Sequence, residues 1–179
     1  DSDKLIKLPF SANGKTQISP IFSGDLIYWI ERTSYNTSEI KALNIALSQK
    51  AATISTQTNL ASALQIIIGN NTDKLIFAQD QIFSFTDVDR DSLKEISTKK
   101  VSLPLDLLAT TKKLSAKWPE RILHIPWTKQ ILVSLGIYGG TVTYNYESDS
   151  WKTTGLTNPA NRCLYPVAGP EFYSPGVKK

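Results

Sequence analysis

The sequence predicts an all-β fold assembled from about three four-stranded antiparallel units. Three observations carry this. Val, Ile, Thr, Tyr, Phe and Trp gather in short runs separated by Gly, Asn, Asp, Ser and Pro, the composition of strands and the turns between them. Several runs alternate apolar with polar residues, as half-buried strands do. The order of the runs then recurs along the chain at a spacing of roughly 40–50 residues.

In the first unit, Ile18-Ser19-Pro20-Ile21-Phe22 precedes a Gly24-Asp25 turn, and Leu26-Ile27-Tyr28-Trp29-Ile30-Glu31 reads as a strand. Residues 32–38 are polar and loop-like. Glu39-Ile40-Lys41-Ala42-Leu43-Asn44-Ile45 alternates, and Ala52-Thr53-Ile54-Ser55-Thr56 follows as a shorter polar strand. The second unit repeats the order. Ala63 to Ile68 is an apolar run, residues 69–73 are a turn cluster, and Lys74-Leu75-Ile76-Phe77-Ala78 and Gln81-Ile82-Phe83-Ser84-Phe85 are strands. Residues 87–91 turn the chain, and residues 93–98 close the unit.

The third unit is less regular. Residues 105–114 fit a strand or a short helix equally well. Residues 121–125 and 130–135 are strands around Pro126-Trp127-Thr128-Lys129. After Gly139-Gly140, residues 141–146 alternate, Ser148-Asp149 turns them, and Trp151-Lys152-Thr153-Thr154 ends the unit. Residues 1–155 therefore read as one β domain, and residues 156–179, with Pro159, Pro166, Pro170 and Pro175, as an extended tail.

Leu26-Ile27-Tyr28-Trp29-Ile30-Glu31 followed by Glu39-Ile40-Lys41-Ala42-Leu43-Asn44 resembles the YWTD repeats of low-density-lipoprotein-receptor-type β-propellers, with Ile30 and Glu31 standing where that pattern has Thr and Asp. The second unit keeps less of it, in Ile76-Phe77-Ala78-Gln79-Asp80. The third resembles a kelch blade, with Gly139-Gly140 and then Tyr144 and Trp151 bracketing a turn. The resemblance spans roughly residues 15–155. It implies propeller-like blades and protein binding at the cell exterior rather than catalysis. Closed propellers have four to eight blades, and three units leave open strand edges. The expectation is a partial propeller continued elsewhere, a propeller completed by self-association, or, as the alternative, a β-sandwich.

The 179-residue chain is 41% apolar and 20% charged, a globular balance. Its longest apolar run is strand-sized, far from the ~20 residues that span a bilayer. It begins Asp1-Ser2-Asp3-Lys4 and has no Met, which reads as a processed or excised piece. The net charge is +4. Its lysines occur as pairs (Lys99-Lys100, Lys112-Lys113, Lys178-Lys179) rather than tracts, so a solvated basic surface is expected and not a nucleic-acid partner. Cys163 is the only cysteine, which excludes an internal disulfide and a Cys-based zinc site.

Four sets of residues are candidates for chemistry. Asp87, Asp89 and Asp91 alternate, with Glu95 four residues on, as oxygen ligands do in calcium loops. Ser92 and Thr98 stand where such a loop wants Gly and Glu, and Arg90 adds a repelling charge, so a polar turn is the competing reading. His124, the only histidine, lies in the apolar run Ile122-Leu123-His124-Ile125. Without a Gly-x-Ser-x-Gly elbow it reads as structural rather than as a catalytic base. Asn36-Thr37-Ser38 and Asn70-Asn71-Thr72 are glycosylation sequons in expected loops. The four tryptophans and seven tyrosines fit packing between blades better than a ligand-binding face. No other cofactor is expected. These features point to a non-catalytic, protein-binding propeller segment of a secreted or cell-surface protein (periplasmic if bacterial), such as a glycosylated receptor ectodomain. The partner is another protein or the rest of the same propeller. The alternatives are the propeller part of a hydrolase or glycan-processing enzyme, and a sugar-binding lectin.

Overall fold

The computed structural model describes residues 16–47, 50–58, 60–79, 82–102, 121–134, 141–153, 165–166 and 172–173. Among them the regular elements are all strands, apart from a 3-10 turn at Pro126–Thr128. No helix among these residues is long and apolar enough to cross a membrane.

Twelve strands form three four-stranded sheets. The first contains β1 (Thr16–Ser23), β2 (Leu26–Arg32), β3 (Thr37–Asn44) and β4 (Ala52–Thr58). The second contains β5 (Leu60–Ile67), β6 (Thr72–Gln79), β7 (Ile82–Asp89) and β8 (Glu95–Ser102), and the third β9 (Arg121–Ile125), β10 (Gln130–Ser134), β11 (Thr141–Asn145) and β12 (Ser150–Thr153). In each sheet the strands neighbour one another in chain order and pair antiparallel. The all-β, three-unit expectation therefore holds at the level of sheets. Each sheet is open, and the described residues form no closed ring.

Several boundaries shift from the sequence reading. The turn expected at 87–91 begins later, because β7 runs on to Asp89 and pairs with β6 along its whole length, from Gln79↔Ile82 to Thr72↔Asp89. Leu93, the first residue of the segment expected to close the unit, lies in the turn with φ +54 and is buried, and β8 begins only at Glu95. Within residues 156–179, the described residues are β13 (Tyr165–Pro166) and β14 (Phe172–Tyr173), which pair antiparallel. The helix-or-strand segment at 105–114, Trp118, Gly139-Gly140 and Cys163 lie outside the described residues.

The local chemistry explains the turns and irregularities. Gly24 follows β1 with φ +59, a conformation open to glycine at no steric cost, and it closes the two-residue hairpin to β2. Pro20 cannot donate to a ladder. It is tolerated because it sits in an edge strand, at the register break between Ile18 and Ile21.

The sheets stack face to face. Leu26, Tyr28, Ile30, Ile40, Ala42 and Ile54 of the first sheet pack against Leu64, Leu75, Phe77, Val88 and Leu93 of the second. The opposite face of the second sheet, with Ile76, Ala78, Phe83, Phe85 and Val101, packs against Ile122, Ile131, Val133, Val142 and Tyr144 of the third. The second sheet is thus buried on both faces. This is why Leu75-Ile76-Phe77-Ala78 is a continuous apolar run and not an alternation. Adjacent sheets come closest along their first strands, β1 beside β5 and β5 beside β9. Further out on the second and third sheets the gap is filled by aromatic rings. Phe85 lies 5.6 Å from Tyr144, Phe83 5.8 Å from Trp151, and Tyr144 5.0 Å from Trp151, all tilted. The packing is wedge-shaped, narrow at the first strands and wide beyond them.

Candidate functional site at the loop end of the sheet stack

Strand order places the β1–β2, β3–β4, β5–β6, β7–β8, β9–β10 and β11–β12 connections at one end of their sheets. The β2–β3 and β6–β7 connections lie at the other. Contacts between sheets show that the three loop ends coincide. Ser23, closing β1, hydrogen-bonds Asp73, which follows the β5–β6 turn, at 3.1 Å. The His124 backbone N–H, near the end of β9, donates to Gln65 Oε1, near the end of β5, at 3.1 Å.

The most buried charge in the described chain organises this end. Asp73 is fully buried and accepts from Tyr28 Oη at 2.9 Å, from Ser23 Oγ, and from the Gly69 backbone N–H at 3.2 Å. Arg90 Nη1 reaches both carboxylate oxygens, at 2.8 and 2.9 Å, and Arg90 Nη2 donates to the Ser23 carbonyl at 3.1 Å. One carboxylate therefore ties the β1–β2 hairpin of the first sheet to both loop-end turns of the second. Burial first, and then the adjacent Asp73 carboxylate, raise the Tyr28 phenol above its ordinary value, so it stays a protonated donor. The contacts here join the first sheet to the second, join the two turns of the second sheet, or close a turn. The arrangement is a clamp that fixes loop geometry, with no free nucleophile or base in it.

His124 occupies the next seam. Its Nε2 lies 3.1 Å from Tyr146 Oη, and the two rings are 5.8 Å apart. Burial lowers its pKa, against an opposing hydrogen bond to the Ile66 backbone and with a further push down from Lys129. It joins β5, β9 and the β11–β12 turn, as a structural histidine does.

The four calcium candidates do not converge. Asp87 lies within β7 and accepts from Lys74 Nζ and from Ser97 Oγ. Its partial burial opposes ionisation, but these hydrogen bonds outweigh it and hold the carboxyl below its usual range. Asp89 caps its own turn, accepting from the Ser92 N–H at 2.7 Å and Ser92 Oγ at 2.6 Å, and Glu95 accepts from Thr98 Oγ1 at 2.8 Å. Asp91 is exposed in the turn. Among the described residues no group of three or more His, Cys, Asp and Glu side chains is arranged to hold an ion. The two sequon asparagines, Asn36 and Asn70, are both exposed in connections, Asn70 at the loop end and Asn36 at the other.

Sequence reasoning missed the Asp73–Arg90 clamp. Its partners are up to 67 positions apart, and their only sequence trace is the alignment of Gly24-Asp25 with Thr72-Asp73. It also missed that exposed apolar side chains gather at the loop end. Phe22, Leu47, Ile68 and Trp127 lie in or beside these connections and Ile96 one residue into β8, whereas Tyr35 and Ile82 lie at the far end.

No family model matches the chain, and no curated protein matches it. Among solved structures, the chain is similar to an uncharacterized protein, lmo1340, from Listeria monocytogenes EGD-e. The TM-score is 0.49 and the identity 11%, over 84% of this chain and 43% of that one. This chain spans less than half the length of that structure.

Proposed function

We propose that the chain is a propeller-like segment of a secreted or cell-surface protein and serves as a rigid scaffold for binding another protein. The observation that carries the reading is the wedge-shaped stacking of three meander sheets. Their first strands lie side by side, and hydrogen bonds from Ser23, Tyr28 and Arg90 across the first seam and from His124 to Gln65 across the second join one sheet to the next. Blades of a propeller are meanders that converge on their first strands, and a scaffold built this way presents its loops as a fixed constellation. The loop end supplies exposed apolar anchors of the kind that protein interfaces use. The exposed sequon residues Asn36 and Asn70 favour the exterior location.

A photo-reactive amino acid placed at position 68, and separately at position 35, tests this in cells of the source organism. Position 68 is expected to give a discrete protein adduct and position 35 none. Adducts at neither position, or the same adducts at both, refute the reading. The hydrolase alternative would require His124 to act as its base. An activity that His124→Ala abolishes without lowering stability would favour that alternative.

A further inference from the structure

We infer that the third sheet is a separately opening unit: β9–β12 come away from the stack along the second seam while the first two sheets stay joined. The inference holds whatever partner the loop end takes, and the closed stack is the form that presents those loops.

The two seams bury apolar cores of similar extent, so apolar burial does not rank them. Their polar ties do. Across the first seam, the fully buried Asp73 carboxylate takes donors from Ser23 and Tyr28, while Arg90 reaches both that carboxylate and the Ser23 carbonyl. At the far end of the same seam, Gln79 Nε2 donates to the Thr58 carbonyl at 2.6 Å. The first seam is thus closed at both ends. Across the second, the polar ties among the described residues are two. His124 meets Gln65 and the Ile66 backbone, and Lys99 meets Tyr144 Oη at 3.3 Å and the Asp149 carboxylate at 3.2 Å. The Lys99 and Asp149 side chains are 55 and 64% exposed. An exposed pair gives way to water and salt at little cost, whereas parting the first seam strands a buried charge.

Chain connectivity points the same way. A single residue, 59, joins β4 to β5, but residues 103–120 separate β8 from β9. One residue keeps the first two sheets together even when their bonds break. A connection of the second length can reach roughly 60 Å when extended, so it leaves the third sheet room to move off. By loop-closure scaling it lowers the chance of re-docking by a factor of roughly ten or more. Opening lays bare the apolar face made by Ile76, Phe83, Phe85 and Val101.

Native-state hydrogen exchange of the full chain in sub-denaturing guanidinium, resolved by residue, tests the inference. The amides of Ile131–Val133 in β10 and Val142–Tyr144 in β11 are expected to exchange about tenfold or more faster than those of the inner strands of the first two sheets. Their opening should depend only weakly on denaturant, because it exposes one seam. The amides of Ile27–Ile30 in β2, Ile40–Leu43 in β3, Leu75–Phe77 in β6 and Phe83–Phe85 in β7 should share one slower opening with a steeper dependence. A bis-maleimide bridge in Lys99→Cys/Asp149→Cys, made in a Cys163→Ser background, should bring β10 and β11 onto that slower opening. The unbridged variant should keep the wild-type order. One opening common to all six strands, β2 and β3 opening ahead of β10 and β11, or a bridge that leaves β10 as fast as before overturns the inference.

Discussion

Replacing Asp73 with alanine removes the one acceptor on which four donor groups converge. Arg90, Tyr28, Ser23 and the Gly69 N–H all point at its carboxylate, which is fully buried, whereas the Arg90 side chain is 22% exposed. Breaking a buried pair from one side costs about 3–5 kcal/mol, because the remaining charge is left uncompensated. The partial exposure of Arg90 lets water recover some of that, which places the expected loss near the lower end, about 3 kcal/mol. For a chain of this size the loss corresponds to a fall in melting temperature of roughly 6–12 °C. Arg90→Met leaves the Asp73 carboxylate buried without its cation and should cost a similar amount. The double variant removes both charges together, so its loss should fall short of the sum of the two singles by about 2 kcal/mol. Urea unfolding followed by far-UV circular dichroism measures all three. A loss below about 1 kcal/mol for Asp73→Ala, or a double variant equal to the sum of the singles, would refute the clamp as the element joining the first two sheets.

Four further outcomes follow from the same geometry. A Cβ at Gly69 would meet the Thr72 carbonyl oxygen at 2.1 Å, and one at Gly24 only Arg90 Nη2 at 3.4 Å. Gly69→Ala should therefore cost about 1–3 kcal/mol through overpacking, and Gly24→Ala about 1 kcal/mol through backbone strain alone, both read as shifts in the urea midpoint. Phe83→Ala opens a cavity in the aromatic wedge and should cost about 3–5 kcal/mol, while Phe83→Leu keeps most of the fill; thermal unfolding compares them. His124 has a folded pKa below its unfolded value, so protons bind the unfolded chain more readily. Its contribution is fully present above the ordinary value near 6.5 and is lost as pH falls from there through the depressed folded value. His124→Gln should flatten that part of the stability-against-pH curve, which a melting series across pH 5–8 resolves. Because Asp87, Asp89 and Glu95 each serve a separate partner, added calcium should leave the melting curve unmoved. Asp87→Asn, breaking a partly exposed pair with Lys74, should cost less than about 1 kcal/mol.

The strands were legible because their burial pattern is local. Leu26 to Ile30 and Leu75 to Ala78 carry their apolar character in consecutive residues, and Gly24 marks its own turn. The end of β7 was not legible, since Asp87 and Asp89 look like turn residues by type. Asp87 stays in the strand because Lys74 on β6 neutralises it and Ser97 on β8 hydrogen-bonds it across the sheet, a cross-strand effect no window along the chain contains. The candidate site was less legible still. His124 was visible as the single histidine in an apolar run, but the Gln65 and Tyr146 contacts that give it a role depend on how two sheets meet and on the β11–β12 turn. The clustering of Phe22, Ile68 and Trp127 needs strand direction in three sheets at once. A sequence reader sees three scattered exposed residues, an ordinary sight on any surface.

The narrowing between sheets at β1, β5 and β9 carries a consequence for growth of the array. Any unit added to the series by the same packing arrives rotated by a fixed step, so the series bends around its thin side instead of extending in a straight pile. Between the second and third sheets the size of that step is set by what props the thick side open, the rings of Phe83, Phe85, Tyr144 and Trp151. Four side chains thus act as a curvature gauge, and slimmer replacements would flatten the arc before they unfolded any single sheet.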